Sequence, residues 1–223
     1  MTPGAIVSKA IDMGLDIIAV TDHNSAGNFE AVRIAGKRLG LSVIGGMEIC
    51  SEEEVHLLGF FDRNSDLYKM EQIVQEHLPG ENNPEAFGDQ VFLDSNSKIM
   101  GISEKLLFGA TTLNIDQIVE LVHQNNGMVI ASHVDRDSFS IFSQLGFIPE
   151  GLKLDGIEIV NTESVVNRDM ETGYLYGFPY LFSSDAHYIE DIGQRVTEFK
   201  LMEPTIKEIM LAIQNKNGRR VIR

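Results

Sequence analysis

Four short apolar runs in this chain each stop at a carboxylate or an imidazole. "IIAVTDH" ends on Asp22 and His23, "VIGGME" on Glu48, "MVIASH" on His133, and "YLFSSDAH" on Asp185 and His187. Runs of this length, rich in β-branched residues, predict buried strands rather than helices. The polar group always follows on the C-terminal side.

Helical stretches separate the runs. "TPGAIVSKAIDMG" has Thr2 as a cap, Pro3 for its first turn and Gly14 to close it. "NSAGNFEAVRIAGKRLG" stops at Gly40, and Asp66–Leu78 continues the pattern. "NIDQIVELVHQNNG" runs from a capping Asn114 to Gly127. "SFSIFSQLG", residues 163–172 and a last segment from Thr205 are also expected to be helical. "EEVHLLGFF", "GIEIVN" and "VTEFKL" are further strands. Strands alternating with helices predict parallel βαβ units. The continuous apolar character of the strands says both faces are covered. That leaves a barrel or an open doubly wound sheet, and in both the C-terminal strand ends form one mouth. Residues 79–113 break the pattern with a polar, Pro/Gly-rich loop and a hairpin signal around "SNS". We read the chain as a single domain, 1–223, with an insertion there.

The groups gathered at the mouth are imidazoles and carboxylates without a thiolate. His56, in "EVHLLG", can join them from the strand after Glu48. That donor set suits Zn, Mn or Fe. Two such ions ~3.5–4 Å apart can clamp a phosphoryl oxygen. His77 and His123 fall on helical patterns and are read as surface residues. Gly45 and Gly46 lack the Lys-Ser/Thr of a phosphate loop and are read as a close-packing pair. Ser183 and Ser184 lack a nucleophile elbow. Arg136, Arg195 and Asn161 are candidates for substrate contact.

The single cysteine, Cys50, excludes an intramolecular disulfide and a Cys-based zinc site, and is read as a buried thiol in a cytoplasmic protein. No run approaches the ~20 apolar residues of a membrane helix. The formal net charge of −15 disfavours a long polyanion, so duplex DNA is expected not to bind.

Together, "GLDIIAVTDHNSAG", "VIGGMEI" with "EVHLLG", "ASH", "GIEIVN" and "SSDAH" resemble the PHP domain, the polymerase and histidinol phosphatase superfamily. The resemblance implies an α/β fold, a distorted seven-stranded β/α barrel holding up to three divalent ions. It implies phosphoesterase chemistry on a small phosphate monoester or a nucleotide. It assigns Glu48, His56 and His133 to one metal, Asp185 to a second bridged by Glu48, and His23 and His187 to a third. Asp22 would orient a neighbouring imidazole. The family's opening His-x-His strand has no counterpart, since no His precedes His23. The barrel is therefore expected to be open between "LDIIAV" and the last strand, an edge that invites a homo-oligomer. Fewer metals and weak or absent turnover are expected. The alternative is a non-catalytic PHP regulatory or interaction module. A metal amidohydrolase outside phosphate chemistry ranks last.

Overall fold

A computed structural model of the chain describes residues 1–160 and 174–222. Helix α1 (Pro3–Asp12) starts where Thr2 accepts a hydrogen bond from the Ala5 amide. Strand β1 (Ile17–Val20), α2 (Phe29–Leu39), β2 (Ser42–Cys50), β3 (His56–Phe61) and α3 (Asn64–Glu76) follow. Next come α4 (Pro84–Phe87), β4 (Val91–Leu93) and β5 (Ile99–Ile102). The remainder is α5 (Ile115–Gln124), β6 (Met128–Ala131), α6 (Ile141–Leu145), β7 (Gly156–Ile159), β8 (Tyr174–Leu175), β9 (Phe178–Phe182), β10 (Glu198–Lys200), α7 (Ile206–Ile213) and β11 (Arg220–Ile222). The expected helix over 163–172 lies outside the described residues, and β11 carried no sequence signal.

Seven strands form one curled sheet in the order β1-β2-β3-β6-β7-β9-β8. It is mixed rather than parallel throughout. Strand β3 runs antiparallel to both β2 and β6, while β1–β2, β6–β7 and β7–β9 are parallel. The connection from Cys50 to His56 is too short for a crossover, so it can only make a hairpin. Its register pairs Cys50 with His56. His56 therefore stands at the start of its strand, yet at the same end of the sheet as Glu48.

Period-2 alternation divides the strand residues between two cores. Met47, Ile49, Leu57, Val129, Ala131, Ile157 and Ile159 face the helices, with Val32, Leu67, Met70, Ile118 and Val122 against them. On the concave face, Ile44, Leu58, Met128 and Ile130 pack on Ile206, Ile209 and Ile213 of α7. Each fully buried aliphatic side chain contributes on the order of 1.5–3 kcal/mol. Helix α7 thus plugs the bottom of the half-barrel, and the polar residues at the other end of the same face form its mouth. A Cβ on Gly46 would lie 2.7 Å from the Gly59 carbonyl and one on Gly45 2.6 Å from Leu67, which gives the Gly pair its packing role.

The sheet is open, its edges being β1 and the short β8 that pairs with β9, so the gap lies beside "LDIIAV", as expected. A cavity of 1460 Å³ fills the opening, lined by Ile17, Val20, Leu181 and Phe182 among others. The expectation that β1 is a buried strand fails for this reason: Ala19 is exposed and Ile17 and Ile18 are only half-buried. Strands β4 and β5 form a separate antiparallel pair. The middle segment is tethered to the loop after His23. Asn24 Nδ2 donates to the Leu107 and Gly109 carbonyls at 2.7 and 2.8 Å, and Asn28 Oδ1 accepts from the Leu93 amide at 2.9 Å.

Candidate metal centre

Glu48 ends the concave face of β2 and is 4% exposed. Its Oε1 lies 3.1 Å from His56 Nδ1 and 3.2 Å from His133 Nε2, and its Oε2 lies 3.2 Å from His23 Nδ1. His56 Nδ1 and His133 Nε2 are only 3.3 Å apart. Two ring nitrogens that close cannot both carry protons without repulsion, so at least one offers a lone pair to the space between them. Among the described residues, His23, Glu48 and His56 have donor atoms all within 4.8 Å of one another. His23 Nδ1 is buried and, despite its 3.2 Å approach to Glu48 Oε2, makes no well-directed hydrogen bond. Convergent lone pairs and an unsatisfied ring nitrogen are what a cation would satisfy. His23 thus stands beside Glu48 and His56 as well as beside His187, with which the resemblance groups it.

The electrostatics follow from burial. Desolvation pushes the Glu48 carboxyl up, but hydrogen bonds from His133 and His56 and the nearby imidazole charges outweigh it and hold it well below the usual range. Burial likewise opposes protonation of His133, and the Glu48 carboxylate overcomes it and raises His133 above its ordinary value. For His23 desolvation wins, and its pKa is lowered.

Asp185 and His187 stand beside this cluster. The His23 and His187 rings are 6.0 Å apart by centroid. His187 Nδ1 donates to the Asp185 carbonyl at 3.0 Å and turns partly to solvent. Arg136 Nη1 lies 2.6 Å from Asp185 Oδ2, an oxygen that is buried and otherwise without a hydrogen-bond partner. A cleft of 520 Å³ beside them is lined by Arg136, Ser184, Tyr188 and Gln194. The Arg195 amide donates to Ser184 Oγ at 3.1 Å, which puts this residue at the base of the same loop. Asn161 lies outside the described residues.

Asp22 Oδ2 accepts from Asn28 Nδ2 at 3.0 Å. Its own carboxyl is pushed up by burial. His123 is partly exposed, and its Nε2 pairs with Asp155 Oδ2 at 2.9 Å.

Sequence reasoning missed Ser132 and Glu158. Ser132 Oγ lies 2.9 Å from Glu48 Oε1 and 3.0 Å from Glu158 Oε2. One hydroxyl proton serves only one of them at a time. Burial pushes the Glu158 carboxyl up. Glu158 Oε2 also accepts from the His133 amide at 2.9 Å, and Ser183 Oγ hydrogen-bonds Oε1. The available signal was a carboxylate in the middle of the apolar run "GIEIV". Backbone strain marks the mouth as well. Asn24, His133, Phe139 and Asp185 take φ of +47°, +27°, +55° and +44°, and such residues cluster at functional sites.

The PHP domain model matches residues 1–145 and the PHP-associated model residues 175–217. The chain is 29% identical over 79 residues to a 5'-3' exoribonuclease of Haemophilus influenzae, covering 34% of this chain and 28% of that protein. It is 32% identical over 59 residues to a phosphoribosyl 1,2-cyclic phosphate 1,2-diphosphodiesterase of Eggerthella lenta, covering 24% and 22%. The matches thus span under a third of either relative. Endonuclease Q from Pyrococcus furiosus has the same fold, with a TM-score of 0.69 at 19% identity over 99% of this chain and 53% of that one. In a second structure, with a TM-score of 0.68, 19% identity and the same coverage, endonuclease Q holds a 27-mer duplex with an abasic lesion at the active site. That finding overturns the exclusion of duplex DNA. Net charge is a property of the whole surface, whereas a bound strand responds to the field within a Debye length, ~8–10 Å, of its contacts. No described helix is long and apolar enough to cross a membrane.

Proposed function

Because the chain belongs to the PHP domain family, a superfamily of metal-dependent hydrolases and phosphoesterases, we propose that it hydrolyses a phosphate ester of a nucleotide or another small molecule. The observation that carries this reading is the convergence of His23, His56 and His133 on one carboxylate, Glu48. These residues would hold one divalent ion, Zn, Mn or Fe, and Asp185 with His187 would hold another beside it. Such an ion, when bound, supplies Lewis-acid activation of water and neutralises charge developing on phosphorus.

The chain's own groups do the rest. Arg136, beside Asp185, and Arg195, which lines the large cavity, would offer donors to phosphate oxygens. Glu158 fixes Ser132 and the His133 amide, and through Ser132 it fixes Glu48. The middle segment, 79–113, covers one side and selects what enters. A second reading, a non-catalytic PHP module, is favoured by one contact: the Arg136 guanidinium already satisfies Asp185.

The two readings separate in one experiment. Purified chain is loaded with Mn, Zn or Fe, its metal content is measured, and hydrolysis of p-nitrophenyl phosphate, its bis ester and 5'-AMP is followed. The proposal expects bound metal and weak, metal-dependent turnover of at least one ester. Bound metal without any turnover selects the non-catalytic module. Absence of both refutes the metal centre.

A further inference from the structure

We infer that Phe139 is the stacking platform for a nucleobase, so that the favoured ester carries a planar base and not an aliphatic group. The inference deepens the phosphoesterase reading above and rests on it.

Phe139 sits at the mouth with its ring stacked on His56, centroids 4.8 Å apart and planes 16° from parallel. Its carbonyl accepts the His56 amide at 2.9 Å, so the ring is held in register with a candidate ligand. One face of the ring stacks on the imidazole, and the residue as a whole is still 40% exposed. Its backbone is in the left-handed region, φ +55°. For an aromatic residue that conformation is an outlier costing ~1–3 kcal/mol.

The other strained residues at the mouth have visible reasons. Asn24 tolerates the conformation and spends its amide on the Leu107 and Gly109 carbonyls. His133 and Asp185 use it to turn donor atoms inward. Phe139 has no polar side-chain atom to aim. A glycine or asparagine would make the same turn without strain and without leaving a ring in water. The gain lies on the open face of the ring, a flat apolar surface one residue wide beside the centre, which is the shape that stacks a base.

The surrounding loop supports the same ligand. His133, Arg136 and Phe139 belong to one connection between β6 and α6. It is closed by Ser140, whose Oγ donates to the Arg136 carbonyl at 2.7 Å and caps α6. A single rigid loop therefore presents a cation for phosphate and a ring for a base. Neither a sugar phosphate nor inorganic phosphate would use the second.

The test compares 5'-AMP with ribose 5-phosphate by calorimetry on the Mn-loaded chain and on two variants. Phe139→Leu keeps apolar bulk and the same backbone strain but removes the π face, and Phe139→Trp restores one. Metal content and thermal midpoint are recorded for each. The wild type is expected to prefer 5'-AMP at least fivefold. Phe139→Leu is expected to lose about tenfold in 5'-AMP affinity, from the usual worth of one base–aromatic stack. Ribose 5-phosphate should stay within twofold, and Phe139→Trp should keep the preference. A preference unchanged in Phe139→Leu overturns the inference, as does equal loss of both ligands. A wild type that binds ribose 5-phosphate with no preference overturns it too, but leaves the phosphoesterase reading standing. Binding of neither ligand removes both.

Discussion

Arg136 Nη1 lies 2.6 Å from Asp185 Oδ2, so a cationic side chain already occupies one of the carboxylates at the metal mouth. The Asp185 side chain is largely buried and Arg136 is not, which makes the contact part screened and part protected. Metal binding at Asp185 must displace the guanidinium. Arg136→Gln is therefore expected to tighten Mn binding at the weaker site on the order of fivefold, since such a pair is worth about 1 kcal/mol. Titration calorimetry on the two proteins measures it. Weaker or unchanged binding would mean the guanidinium does not compete.

The His133–Glu48 contact gives the metal-free protein a pH signature. His133 has a folded pKa above its unfolded value of about 6.5. Its stabilisation is then fully present below pH ~6.5 and lost as pH rises through the folded value. His23 is shifted the other way, so the whole-protein profile mixes opposing slopes. The difference between wild type and His133→Asn isolates the contact. In chelator, the gap in thermal midpoint should be larger at pH 5.5 than at pH 8.5. A constant or reversed gap would contradict the pairing.

Glu158 is predicted to act as a neutral brace. Glu158→Gln keeps a neutral hydrogen-bonding group among Ser132, Ser183 and the His133 amide, and should lower the thermal midpoint by only a few degrees. Glu158→Leu leaves those groups buried and unpaired, at about 1–3 kcal/mol each. For three such groups in a chain of this size that corresponds to a fall of roughly 6 °C at the least and a few tens of degrees at the most. Calorimetric melts of the metal-free proteins decide it, and equal effects of Gln and Leu would remove the brace.

Cys50 is buried, and burial pushes its thiol up to about 12. Only the thiolate reacts, so iodoacetamide at pH 8 should leave the folded protein unmodified and label it fully in denaturant. Mass spectrometry reads the result. Rapid labelling of the native protein would show that the end of β2 is open to solvent.

How much of this was legible in the sequence depends on range. Helix caps are local chemistry, and Thr2, Asn114 and Thr205 each accept the expected amide hydrogen bond. The polar groups ending apolar runs converge because strand ends in such folds share one side of the sheet. The direction of β3 was readable only from the short link between Cys50 and His56, a hairpin-length connection that outweighs the βαβ rhythm. Exposure of Ala19 was not readable from the run "IIAV" itself, because it depends on which strand neighbours β1; only the expected opening beside that run implied it. Ser132 and Glu158 were missed for a similar reason. Their roles arise from contacts across neighbouring strands, and a run such as "GIEIV" shows only that one buried carboxyl needs partners. Phe139 looks like an ordinary aromatic until its φ is known.

The central claim is that His23, His56 and His133 meet on Glu48 to hold a divalent ion. Anomalous diffraction from crystals grown with zinc tests it without any assay. The account predicts a zinc peak within bonding distance, ~2.0–2.2 Å, of a Glu48 oxygen and of at least two of those imidazoles, and its loss in His133→Ala. A mouth without a peak at full zinc loading, or a peak untouched by that substitution, would contradict it.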